Sequence, residues 1–178
     1  MSKDLIESIV GEYRRYKKMA EGAIDQLQEQ DLSRGGPGEA NSIAVIVWHI
    51  SGNLKSRFTD FLTADGEKPW RKRDEEFVER SVTFQELRHK WEEGWTVLFD
   101  SLTSLTDEEL RRTVVIRGEV IRAHEALHRS LAHTASHIGQ IVHIAKTLRG
   151  KAWKTLTIPR GKSEEFNRNP AGQQPGRT

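Results

Sequence analysis

Apolar residues recur three and four apart from Leu5 through Ile6, Ile9, Val10, Tyr13, Tyr16, Ala20, Ala23, Ile24 and Leu27, which predicts an amphipathic helix over residues 3–30. Residues 31–39, polar and holding Gly35, Gly36, Pro37 and Gly38, cannot continue it and read as a loop. Asn41 or Ser42 offers the short side chain that caps a helix start. The stripe Ile43, Ile46, Val47, Ile50, Leu54, Phe58 and Phe61 then predicts a second helix to Thr63. Residues 64–82 are charged and without period, too long for a tight turn between antiparallel neighbours, and so predict a crossover between parallel helices.

Thr83 with Glu86 forms a capping box, in which each side chain satisfies a backbone donor that a helix start leaves free. A third helix follows with Phe84, Leu87, Trp91, Trp95, Leu98, Leu102 and Leu105 inward. Thr106 and Glu109 repeat the box for a short turn. Val114–Ile116 and Val120–Ile121 around Gly118 fit a small hairpin. The fourth long helix is predicted from Ala123 to Leu148, stopping at Gly150. The expected class is all-α, a four-helix bundle with one long crossover between helices 2 and 3. Trp153, Leu156 and Ile158 are expected to dock on it, making residues 1–167 one domain, and residues 168–178 are expected to be a disordered tail.

Composition narrows the chemistry. The chain has no cysteine and seven histidines, so disulfides, thiolate metal sites, iron–sulfur clusters and a protein thiol nucleophile are excluded. Any transition metal must be held by imidazole and carboxylate. Net charge is +2, but residues 151–178 carry six Lys/Arg against Glu164 and Glu165, which leaves the body slightly acidic and without a basic footprint for nucleic acid. No charged-then-apolar leader and no membrane-length apolar run are visible, and a cytoplasmic protein is expected.

Five histidines lie between His124 and His143. At about 100° per residue from Leu127, His133 and His137 fall near about 240° and 280°, on one flank of the apolar stripe. His124 and His128 fall near about 60° and 100°, on the other flank, so one helix cannot aim both pairs at one site. A histidine pair at i, i+4 can chelate a divalent ion, although the spacing also occurs in surface histidines. Thr134 stands where a zinc metalloprotease needs the glutamate of H-E-x-x-H, which excludes that class. His49 and Asn53 flank the apolar stripe of the second helix, where His49 is either a ligand or an interior histidine bonded to a carbonyl. With His133 and His137, it would leave an ion with open positions.

Two segments carry a family likeness, WHISGN (residues 48–53) and HTASHIGQIVHIAKTLRG (residues 133–150), whose core is H-x-x-x-H-x-G-Q-I. With NSIAVIVWHISGN, SRFTDFLTADGEKPWRKRDEEF and WKTLTIPRGKSEEFN, the chain resembles a branch without assigned function of the DinB-like superfamily of bacterial metal-binding four-helix bundles. The resemblance spans most of residues 5–167. It implies helices running up-down-down-up and a metal site at His49, His133 and His137, with one zinc or nickel ion per chain. One departure is Ser136, which precedes His137 where superfamily members often carry tyrosine.

Three functions are compatible with these residues. In the first, a metal-dependent transferase uses a low-molecular-weight thiol, with Asn53 and Arg57 facing the ligand and Gln140 beside His137. Arg57 has an alternative as the ion-pair partner of Asp60 or of a crossover carboxylate. In the second, a metal-dependent hydrolase would need a general base, and with no inward carboxylate on helix 2 or 4 the candidates are Glu75 and Glu76, which could fold over the site from the crossover. Their setting among Arg71, Arg73, Asp74 and Arg80 reads better as a solvated ion-pair cluster. The third is a non-enzymic, stress-related metal- or ligand-binding module. A homodimer is expected in each case.

Overall fold

A computed structural model describes residues 2–36 and 40–168, which are mostly helical with one two-stranded sheet. Helix α1 (Asp4–Ile24) buries Ile6, Ile9, Val10, Tyr13, Ala20, Ala23 and Ile24. Its first turn is capped from a distance, because Asp107 Oδ1 accepts from Ile6 N at 3.0 Å and Oδ2 from Leu5 N at 3.3 Å. The helix is shorter than its apolar pattern predicts. After Ile24 the chain makes a 3-10 turn (Glu29–Asp31), stabilised by Asp31 Oδ2 accepting from Gln28 N at 3.0 Å, and this turn carries Leu32 into the core.

Helix α2 (Ile43–Phe58) begins at the expected cap, with Ser42 Oγ accepting from Val45 N at 3.3 Å. It is buried nearly all round, with Ile43, Val45, Ile46, Val47, Ile50 and Leu54 inaccessible. It ends at Phe58 and not at Thr63, because Thr59 leaves helical geometry, Asp60 takes φ 50°, and Phe61 folds back against Phe58 at 5.2 Å between ring centroids. The crossover contains a 3-10 turn (Arg73–Phe77) that packs against α2.

Helix α3 (Phe84–Ser104) starts at the predicted box, Thr83 N donating to Glu86 Oε2 at 2.8 Å and Glu86 N to Thr83 Oγ1 at 3.2 Å. Gly94 brings α3 onto α2, since a Cβ there would lie 2.6 Å from Ser51 Cα. Strands β1 (Thr113–Ile116) and β2 (Glu119–Arg122) form the hairpin, antiparallel, with Val114 opposite Ile121. Arg117 and Gly118 both take positive φ, 54° and 76°, the pairing of a two-residue turn whose twist matches its strands.

Helix α4 (Ala123–Arg149) follows directly and ends where Gly150 turns to φ 51°. α1 lies against α4 and α2 against α3, and α2 also touches α4. Tyr13 stands edge-on to Trp95 at 6.2 Å and to Phe58 at 6.5 Å, joining α1, α2 and α3 in one core. Beyond α4, Trp153 and Leu156 pack on the core, and Gln26 exchanges two hydrogen bonds with the Lys154 backbone at 2.8 and 3.0 Å. Ile158, also expected to dock, stays exposed. A short helix α5 (Ser163–Arg168) follows and takes in Arg168, the first residue of the expected tail, while residues 169–178 of that tail lie outside the described residues. Among the described residues no helix is long and apolar enough to cross a membrane.

Candidate metal centre

Three histidines converge between α2 and α4. His49 comes from the middle of α2 and is buried, while His133 and His137 come from successive turns of α4 and are half-buried. One ring nitrogen from each lies within 4.8 Å of the others, a grouping that can hold a metal ion. His49 Nε2 faces His133 Nε2 at 3.0 Å. Two ligand nitrogens on a tetrahedral zinc, each about 2.0–2.1 Å from the ion, stand roughly 3.3 Å apart, so this spacing is close to that of a chelating pair.

The outward nitrogens differ in their partners. His49 Nδ1 lies 2.9 Å from Glu76 Oε2. A carboxylate accepts only, so Nδ1 carries the proton and Nε2 presents its lone pair inward. His137 Nδ1 donates to Gln140 Oε1 at 2.9 Å, which likewise leaves Nε2 free. His133 Nδ1 is buried with no hydrogen-bond partner among the described residues. Burial, then neighbouring His137 and His49, pushes His133 down to about 4, so the ring is neutral at pH 7 and competes with no proton for a cation. Burial lowers His137 as well, against the opposing hydrogen bond with Gln140.

Glu76 corrects the expectation of a solvated crossover cluster. It is buried and bridges His49 to Arg71, whose Nε donates to Oε1 at 2.8 Å and Nη2 to Oε2 at 2.9 Å. Burial alone would raise its pKa, but the hydrogen bonds from His49 and Arg71 outweigh that and hold it below the usual carboxylate range. The aperiodic crossover contained one clue, Phe77 among charges, whose ring now packs on His49 at 4.7 Å between centroids. Glu75 is exposed and pairs with Lys72, as expected of a solvated group.

The other candidates divide. Gln140 reaches the site through His137, and Asn53 is half-buried one turn beyond His49 on α2. Arg57 takes its alternative role, donating to the Gly66 carbonyl and pairing with the crossover carboxylate of Glu67 at 3.3 Å. His124 Nδ1 lies 3.1 Å from the Leu110 carbonyl, and His128, His143 and His89 are exposed.

Residues 1–162 match the family described as "Protein of unknown function (DUF1572)". The chain belongs to the DUF1572 family. Neither the curated proteins nor the solved structures contain a significant match. In this DUF1572 chain, three converging imidazoles, the neutral His133 among them, and the absence of thiols suit a borderline divalent cation.

Proposed function

We propose that this DUF1572 protein is a DinB-like four-helix bundle, running up-down-down-up, that binds one divalent ion, zinc or nickel, through His49, His133 and His137. The observation that carries the reading is the convergence of the three ring nitrogens, with His49 already holding its proton on the far side of the ring. Three protein ligands leave coordination positions for a small molecule.

The activity proposed, for a cytoplasmic homodimer, is conjugation of a low-molecular-weight thiol with an electrophile: the thiol's proton passes to solvent and its sulfur bonds to the electrophilic centre, adding to it or displacing a leaving group. A bound divalent cation supplies deprotonation of a coordinated thiol at neutral pH. The chain has no thiol of its own, so that sulfur arrives with the cosubstrate. Asn53 and Gln140 flank the ligand positions and orient it by hydrogen bonding. Hydrolysis is less well supported, because both oxygens of Glu76 are engaged by Arg71 and His49, and Glu75 is paired at the surface.

Metal analysis of purified protein is expected to find about one divalent ion per chain, lost in His133→Ala and in His137→Ala while the helical fold persists. Equal metal content in both variants would overturn the site. Metal-dependent turnover in a screen of small thiols with electrophiles is the expected result for the transferase. Stoichiometric metal with no turnover would instead favour the non-enzymic binding module.

A further inference from the structure

Glu76 reaches His49 through a gap in α2. A Cβ at position 52 would lie 2.1 Å from Glu76 Oε1 and 2.7 Å from its Cδ, so no side chain larger than glycine's hydrogen admits the carboxylate. Gly52 is helical, not in a left-handed conformation, so the steric gap is what distinguishes it from alanine here. A mid-helix glycine is otherwise unfavourable relative to alanine, because it loses more backbone freedom on folding. Position 52 lies three residues after His49, on the same face of the helix, which places the gap beside the ring. Arg71, its side chain 2% exposed, grips both Glu76 oxygens and fixes the carboxylate in that gap.

We propose that Glu76, seated in the gap left by Gly52 and clamped by Arg71, is a positioning residue for the metal centre: it accepts the Nδ1 proton of His49, fixes the ring, and keeps Nε2 aimed at His133 and His137. The metal part of this role rests on the three-histidine reading above, whereas the ring orientation does not. A partner of this kind on the outer nitrogen of a ligating histidine typically changes metal affinity by roughly 10- to 100-fold. The segment WHISGN thus encodes both a ligand and the space for the group that orients it.

The test compares the full-length protein with Glu76→Gln, with Gly52→Ala, and with the paired variant Arg71→Met/Glu76→Leu, which removes the buried ion pair without orphaning a charge. Zinc affinity is read by competition with a chromophoric chelator, and the His49 tautomer by ¹⁵N NMR of the zinc-free protein. The expected result is roughly a 10- to 100-fold weaker affinity in each variant, with wild-type His49 held as the Nδ1–H form and the paired variant losing that preference. In the double variant Gly52→Ala/Glu76→Gln the loss should be smaller than the product of the single losses, because one interaction is removed twice. Wild-type affinity in Glu76→Gln and the paired variant would overturn the positioning role, and wild-type affinity in Gly52→Ala alone would overturn the gap. Should the wild-type protein bind no zinc at the triad, the metal reading falls by itself. The tautomer then decides the orientation, and an unchanged His49 tautomer in the paired variant would overturn it.

Discussion

Helix α4 carries two histidine pairs at the same spacing, His124/His128 and His133/His137, and among the described residues only the second meets a third donor. The rings of both pairs stand edge to face, with centroids 6.0 Å apart in the first and 4.5 Å in the second. Around the first pair, a ring nitrogen of His124 is occupied by the Leu110 carbonyl and His128 faces solvent. Around the second, α2 supplies His49, and the crossover supplies Glu76 and Arg71 behind it. Helical spacing puts two imidazoles on one side of a helix in either case. The difference comes from what the neighbouring elements bring and from how far they desolvate the rings.

The largest effect should separate the pairs outright. His124→Ala and His128→Ala are expected to keep the full metal content that His133→Ala and His137→Ala lose, as read by elemental analysis of each purified variant. A common loss in all four would erase the contrast. Next, Gly94→Ala would place a Cβ 2.6 Å from Ser51 Cα and force α3 away from α2. Helix propensity favours that change, so a net destabilisation of about 1–3 kcal/mol in urea melts would report the overpacking. Zinc affinity should weaken with it, because Ser51 and His49 share the displaced helix. Stability unchanged from wild type would show that the α2–α3 contact does not hold His49 in place.

A smaller change is expected at the first pair. His124→Ala leaves the Leu110 carbonyl without its donor and should cost about 1 kcal/mol with metal binding untouched. Affinity altered by this variant would couple the two ends of α4. The smallest effect is local to the hairpin before α4. Asp65 accepts from the backbone amides of Glu67, Arg117 and Gly118 at 2.7, 2.8 and 2.8 Å, and these bonds hold its pKa below the usual value. The folded value lies below the unfolded one, so the stabilisation is present above the ordinary carboxylate range and is lost as pH falls through the lowered value. The Arg117 and Gly118 amide NMR signals should titrate together at that lowered pH, and Asp65→Ala should abolish the titration while sparing metal binding. Titration at the ordinary aspartate pKa would contradict the capping role.

Much of the helical frame was legible in the residues. The caps at Ser42 and Thr83, the hairpin turn at Gly118 and the stop at Gly150 are local chemistry, written within three or four positions, and each stands where its pattern predicts. Helix ends without such a signal were overrun. Leu27 and Phe61 continue the apolar period, but they are buried by chain that has turned back, which periodicity cannot distinguish from another helical turn.

Within the site, the helical phase of His133 and His137, and the apolar surroundings of His49, could be read from order along the chain because a helix converts spacing into direction. That Glu76 lies in the core while adjacent Glu75 faces water could not, because the crossover has no period and its side chains are directed only by what they meet. Sequence alone determined which imidazoles share a flank of α4 and that no thiol of the chain can join them. Tertiary structure decided which flank meets α2, and it brought a buried carboxylate against the gap at Gly52, since only packing sets the distance between residues 27 positions apart.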